Sequence, residues 1–299
     1  MPLLHSTVMK VMPHVPKPIL WRVAKRYVAG ETLESAIARL KTLQQRGHCG
    51  VIDVLGEDVN GEEQASRVVH EYQEAAQAVV AAKLDAYVSV KPTHVGLRTS
   101  EKLALTNYAT LARFCKQRSL FLRVEMEDAS TTDATLRIFE ELRKEHDNVG
   151  IVLQSRLFRT PDDIAKLAPG PLNVRMVKGI YLEPAAIAHT EPEPIRQAYI
   201  ACSQQLFERG AFVALATHDA DMGDRCAAIA KHKGVARSGY EFQMLLGVQE
   251  PLWKRWQDAN HTVRIYVPFG PEWKPYSLRR MRKNPAIFGN VLRATLGLS

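Results

Sequence analysis

The stretch VRIYVPFGPEWKPYSLRRMRKNP, residues 263–285, contains a strand, a turn and the start of a helix. Val263, Ile265 and Val267 alternate with Arg264 and Tyr266, the pattern of a half-buried strand, and Pro268, Gly270 and Pro271 are expected to end it. Pro275 suits the first position of a helix. Beyond it Tyr276, Arg279 and Arg280 fall at i, i+3 and i+4 and project from one face. Two guanidiniums beside a phenol can hold a planar carboxylate or a phosphate bidentately. Alone, RRMRK reads first as a solvated basic face, so the rest of the chain has to decide its meaning.

Working back from this unit, the same strand-then-helix alternation recurs. The β-rich runs are GVIDVL (50–55), LDAYVSV (84–90), LFLRVE (120–125), VGIVLQ (149–154), LNVRMVK (172–178), FVALAT (212–217), the weaker VARSGYEF (235–242) and VRIYV (263–267). Amphipathic helical stretches lie between them; in the first, Ala65, Val68, Val69, Tyr72, Ala76 and Val79 share a face. About eight runs is the number that closes a parallel (βα)8 barrel, and an open doubly wound sheet is the alternative. Ahead of the first run, Trp21 to Tyr27 is basic and apolar, and Leu33, Ile37, Leu40 and Leu43 keep helical spacing. The expected organisation is an N-terminal helical appendage, 1–48, followed by one barrel, 49–299, whose final helix covers the site.

At 299 residues and 46% hydrophobic the chain can bury a large core. Its net charge of +8 hints at an anionic ligand or surface and also simply aids solubility. Cys49, Cys115, Cys202 and Cys226 show no paired or metal-binding spacing, so neither a disulfide framework nor a metal site is expected. Prolines break the first residues, and no apolar run is long enough to span a bilayer; a cytoplasmic location is expected. The fingerprints of Rossmann and P-loop nucleotide binding, of HExxH metalloproteases and of the GxSxG elbow are absent.

In such a barrel the chemistry sits at the C-terminal strand ends. Those ends are polar here: Lys91, Glu125 with Glu127, Gln154, Arg175 with Lys178, His218 with Asp219, and Glu241 with Gln243. One such residue is ordinarily a cap or a loop contact. Six strand ends in series imply a ligand cavity with cationic character. For His218 beside Asp219, a capping or hydrogen-bonding histidine is the simpler reading than a metal pair.

Several stretches resemble, in order, the motifs of the proline dehydrogenases, specifically the single-function bacterial members. They are VSVKPTHVG (88–96), RVEMEDASTTDATL (123–136), GIVLQSRLFRT (150–160), RMVKGIY (175–181), ATHDA (216–220), EFQMLLGV (241–248) and YSLRR (276–280). The resemblance implies a distorted (βα)8 TIM barrel holding FAD. Its reaction would oxidise L-proline to Δ1-pyrroline-5-carboxylate by hydride transfer from C5 to flavin N5, with the ring amine unprotonated, and pass the electrons to a quinone.

By the same resemblance Arg279 and Arg280 would clamp the substrate carboxylate, Tyr276 would pack over the proline ring, Lys91 would pair with the carboxylate and Leu245 would wall the pocket. Arg175, Glu125 and Tyr276 would serve catalysis. Met126, Gln154, Arg175, Val177, Lys178, Gly179, Ile180, Thr217 and His218 would hold the cofactor, with Arg175 near its reactive edge. Three residues depart from the family pattern. Glu125 stands where aspartate is usual, with Lys91 or Tyr276 as its expected partner; Ile180 replaces a frequent alanine and Leu182 a frequent aromatic. Both of the latter are expected to tighten the pocket and, with Tyr276 retained, to disfavour hydroxyproline.

The rival readings are a dehydrogenase of hydroxyproline or another cyclic imino acid, and a non-enzymatic anion-binding barrel. Nucleic acid is not an expected partner, because RRMRK lacks interleaved aromatics. The basic segment Trp21 to Arg26 fits peripheral contact with anionic lipid as well as it fits a plain docking helix.

Overall fold

The computed structural model describes residues 17–283, with the side chains of Arg279 and Arg280 outside the described set. Eight parallel strands pair in sequence order and close, the first against the last. They are β1 (Cys49–Val54), β2 (Ala86–Val90), β3 (Leu122–Val124), β4 (Val149–Gln154), β5 (Asn173–Val177), β6 (Phe212–Ala216), β7 (Tyr240–Leu245) and β8 (Val263–Phe269). The barrel expected from the alternation is the fold observed.

Period two explains how the barrel is built. Val88 and Val90 of β2, Phe242 and Met244 of β7, and Ile265 and Val267 of β8 are buried in the apolar cluster shared with the surrounding helices. Phe242 stacks on Trp256 of the helix Glu250–Asp258, ring centroids 3.8 Å apart. The helix Glu62–Ala81 buries the predicted face, Ala65 to Val79. The intervening strand residues point into the lumen, and many of them are polar.

The structure redraws three sequence boundaries and one strand face. The seventh strand is Tyr240–Leu245 rather than 235–242: Gly234 ends the preceding helix at φ +72°, and Arg237–Gly239 forms a tight turn. β8 runs through Pro268 to Phe269, because both stay paired with β1, opposite Asp53 and Val54. The final helix, Trp273–Lys283, begins two residues before Pro275; the proline sits in the first turn, where an N–H lacks an intrahelical partner anyway. Arg264 and Tyr266 are not on a solvated strand face; that face is the barrel interior.

The helix Leu33–Gln45, expected within an appendage, buries Ala36, Leu40 and Leu43 in the barrel's own cluster and packs on β1 and β8. Thr32 caps it by accepting the Ser35 N–H. The helix Lys17–Ala24 docks on the final helix, with Trp21 edge-on to Trp273 at 4.8 Å. Arg22, Lys25 and Arg26 stay exposed.

Candidate active site

Alternation brings Ser89 of β2, Glu125 just beyond β3 and Arg175 of β5 to one level of the lumen. Arg175 forms an ion pair with Glu125, and Ser89 donates to the same carboxylate at 2.5 Å. Arg175 Nε donates to Gln243 Oε1 at 2.6 Å, and its guanidinium lies 5.3 Å from the centre of the Tyr266 ring. Burial pushes the Glu125 carboxyl up, but Arg175, Ser89 and Lys91 outweigh it and hold the carboxylate below its ordinary range. Glu125 therefore pairs with Arg175 and accepts from Ser89, while Lys91, one of the partners expected from sequence, acts on it through its charge. Arg175, Glu241 and Gln243 also lie within their strands rather than at the ends.

One strand end further up, Lys91 Nζ lies 3.2 Å from both carboxylate oxygens of Asp53, which also accepts from the Tyr72 hydroxyl at 3.2 Å. Burial would lower the Lys91 ammonium, yet Asp53, Glu125 and Glu127 hold it above its usual value. Burial raises the Asp53 carboxyl and Lys91 restrains it. Beside them Glu127 accepts the backbone N–H and the hydroxyl of Thr93, each at 2.8 Å, so it fixes the turn after Lys91.

The β4 to β6 side of the mouth has a different character. Gln154 is locked by donating to the Glu127 carbonyl at 2.7 Å, while Thr160 donates to the Gln154 carbonyl at 2.6 Å. After β5, Val177 and Lys178 are half-buried, and Gly179 turns at φ +94° against Gln154 and Arg156. A Cβ at Gly179 would stand 2.9 Å from Gln154 Oε1. Lys178 Nζ is 3.2 Å from Asp219, whose carboxylate also pairs with Arg196 and caps the helix Ala220–His232 by accepting the Met222 N–H. The cap is Asp219, whereas the sequence reading gives a capping or hydrogen-bonding role to His218. Thr217 is buried, accepting the Asp219 N–H at 3.0 Å, and His218 is half-buried beside it. Ile180 and Leu182 are 57% and 91% exposed, so they line an open rim and do not tighten a closed pocket.

Met126 is buried after β3, Leu245 is half-buried at the end of β7, and Tyr276 is half-buried on the final helix. The arginine clamp expected of Arg279 and Arg280 concerns side chains outside the described residues. Sequence reading passed over Asp53, Tyr87, Ser89, Arg123 and Tyr266. The available signal was the polar stripe at period two, Tyr87-Ser89-Lys91, Arg123-Glu125-Glu127 and Arg264-Tyr266, on strands whose other face is apolar.

The family model described as Proline dehydrogenase matches residues 36–293. The chain is 35% identical to Proline dehydrogenase 1 of Bacillus subtilis subsp. natto over 273 residues, 91% of this chain and 90% of that protein. It is also 35% identical to the Proline dehydrogenase of Deinococcus radiodurans over 282 residues, 93% and 91% of the two chains. Among solved structures, proline utilization A of Bdellovibrio bacteriovorus superposes with a TM-score of 0.81 at 24% identity, a likeness of fold. The match covers 88% of this chain and only 33% of that longer one. With a family match over most of its length and single-function relatives of nearly equal extent, the chain belongs to the proline dehydrogenase family, oxidoreductases that carry out the first step of proline catabolism.

Proposed function

We propose that this proline dehydrogenase uses FAD, takes a hydride from C5 of L-proline, and passes the electrons to a quinone. The observation that carries the reading is the mouth of the barrel, where the buried Glu125–Arg175 and Lys91–Asp53 pairs face a glycine turn and an exposed apolar rim. The residues present suit a large, flat, anionic cofactor. Gly179 leaves room where a Cβ would collide with Gln154, Lys178 offers a cation, Arg156 Nε is a buried donor with no partner among the described residues, and Ile180 and Leu182 present apolar surface. When bound, FAD supplies the two-electron acceptor.

The chain's own part is binding and orientation. Arg175 brings a fixed positive charge to the cofactor's reactive edge, and Glu125 and Gln243 hold it from two sides. Gln154, Thr217 and His218 frame the cofactor, with Met126 below. Lys91 supplies a cation near the substrate carboxylate, Arg279 and Arg280 clamp that carboxylate, Tyr276 covers the ring and Leu245 closes the apolar side. The amine reacts unprotonated, since its lone pair forms the C=N bond as the C5–H bond breaks. Retention of Tyr276 supports proline over hydroxyproline. The exposed Arg22, Lys25 and Arg26 support peripheral contact with anionic lipid, where a quinone would be met.

The test is the absorbance spectrum of the purified protein before and after anaerobic L-proline. Flavin bands that bleach, and return on adding a quinone, are expected. Their absence, or bands unmoved by L-proline, would reject the reading.

A further inference from the structure

Below the Arg175–Glu125 pair, the lumen holds a second polar layer centred on Tyr87. Gln243 Oε1 accepts the Arg175 Nε–H, so its amide orientation is fixed: the reversed amide would set donor against donor there and acceptor against the Glu241 carboxylate. Its Nε2 therefore donates to Glu241 at 2.5 Å and to the Tyr87 oxygen at 2.7 Å. Arg175 Nη2 donates to the same oxygen at 3.3 Å. The Tyr87 oxygen thus receives two N–H groups, and among the described residues none accepts a proton from it.

The guanidiniums around it are not equally partnered. Arg175 has Glu125, and Arg264 has Glu241 at 2.9 Å with Asp85 at 3.0 Å. Arg123, 1% exposed, has only neutral oxygens: the Ile151 and Asn173 carbonyls at 3.2 and 2.9 Å and Asn173 Oδ1 at 2.6 Å. Arg264 and Arg123 lie 4.9 and 5.7 Å from the centre of the Tyr87 ring. Of these three guanidiniums Arg123 is the one without a carboxylate partner among the described residues, and a buried guanidinium so placed favours a negative charge beside it.

We propose that Tyr87 stands as a phenolate inside the barrel, the counter-charge to Arg123 and Arg175. Burial pushes the phenol up and Glu241 opposes ionisation, but Arg123, Arg175 and Arg264 outweigh both and draw it below the ordinary tyrosine value. Tyr266, by contrast, is raised well above that value by burial and by Asp53 and Glu125. Tyr87 touches neither proline nor flavin and is a positioning residue. It holds the Arg175 guanidinium from below and subtracts from the positive field that Arg175 presents at the cofactor edge, a consequence that rests on the function proposed above.

Ring-carbon NMR of the flavin-loaded protein labelled at tyrosine Cζ separates phenolate from phenol. Of the nine tyrosines, one is expected to be phenolate at neutral pH and to vanish in Tyr87→Phe. Nine phenols in the wild type, or a phenolate that survives Tyr87→Phe, would overturn the proposal. If Tyr87→Phe does not fold, Arg123→Met should return the signal to the phenol position, and an unmoved phenolate would overturn it. Tyr87→Phe should also shift the flavin midpoint potential upward, as a negative charge is lost beside Arg175. A Tyr87 phenolate without that shift upholds the ionisation and overturns the placement of flavin beside Arg175.

Discussion

Two buried side chains give opposite lessons about charge. Lys91 and Asp53 neutralise each other, and both are held inside the barrel mouth. Lys91→Met would leave the Asp53 carboxylate alone, and breaking such a pair costs about 3–5 kcal/mol. The loss should appear in urea unfolding at alkaline pH and shrink on acidification, because burial already raises the Asp53 carboxyl and it can take up a proton. At His94 the balance is different: burial and then Lys91 push its pKa down to about 3, so it is neutral when folded. The unfolded chain, with a histidine near 6.5, binds the extra proton between those values, so stability falls as pH falls through that window. The expected slope from this group is about 1.4 kcal/mol per pH unit, and His94→Gln should flatten the wild-type stability curve by that amount between about pH 6 and about pH 4. Equal slopes in the two proteins would mean that His94 is not held neutral by the fold.

Among the elements, β7 and the final helix decide most of the site. β7 supplies Gln243 to Arg175 and Glu241 to Arg264, and ends on Leu245 at the proposed substrate pocket. The helix Trp273–Lys283 is anchored at its start: Trp273 is buried, donates from its indole to Glu31 at 2.6 Å, and meets Trp21. This anchoring fixes the start of the helix proposed to cover the substrate. Arg279→Met is expected to raise KM for L-proline at least tenfold, about 1.4 kcal/mol of lost binding, while the flavin content of the purified protein is unchanged. An unaltered KM would remove the helix from the substrate site.

For the whole molecule, closure depends on a helix that precedes the first strand. Leu33–Gln45 lies over the seam between β1 and β8, and Leu40 sits so close to Gly50 that a Cβ there would come within 2.2 Å of its Cδ2. Leu40→Ala should therefore cost about 2–5 kcal/mol. A lower urea midpoint with the same m-value is the expected signature, and a change within error would show the seam to be closed without this helix.

The sequence by itself determined the alternation of about eight strands with helices along the chain, and left an open doubly wound sheet as the alternative to a closed barrel. Apolar period two and helical period 3.6 are local properties, and their alternation leaves few ways to bury both faces of a parallel sheet. It also carried the motif residues Lys91, Glu125, Gln154, Arg175, Lys178 and His218 to the correct strand ends or strands, since strand position is readable along the chain. Only the tertiary structure decided what the polar stripe meant. In VRIYV the charged face read as the open side of a half-buried strand, because half-buried and lumen-facing strands share one pattern. Closing the barrel turned Arg264, Tyr266, Tyr87 and Arg123 inward and set Glu125 against Arg175 in place of Lys91. Partners from strands many residues apart are chosen by the register of the closed sheet, which no single stretch contains.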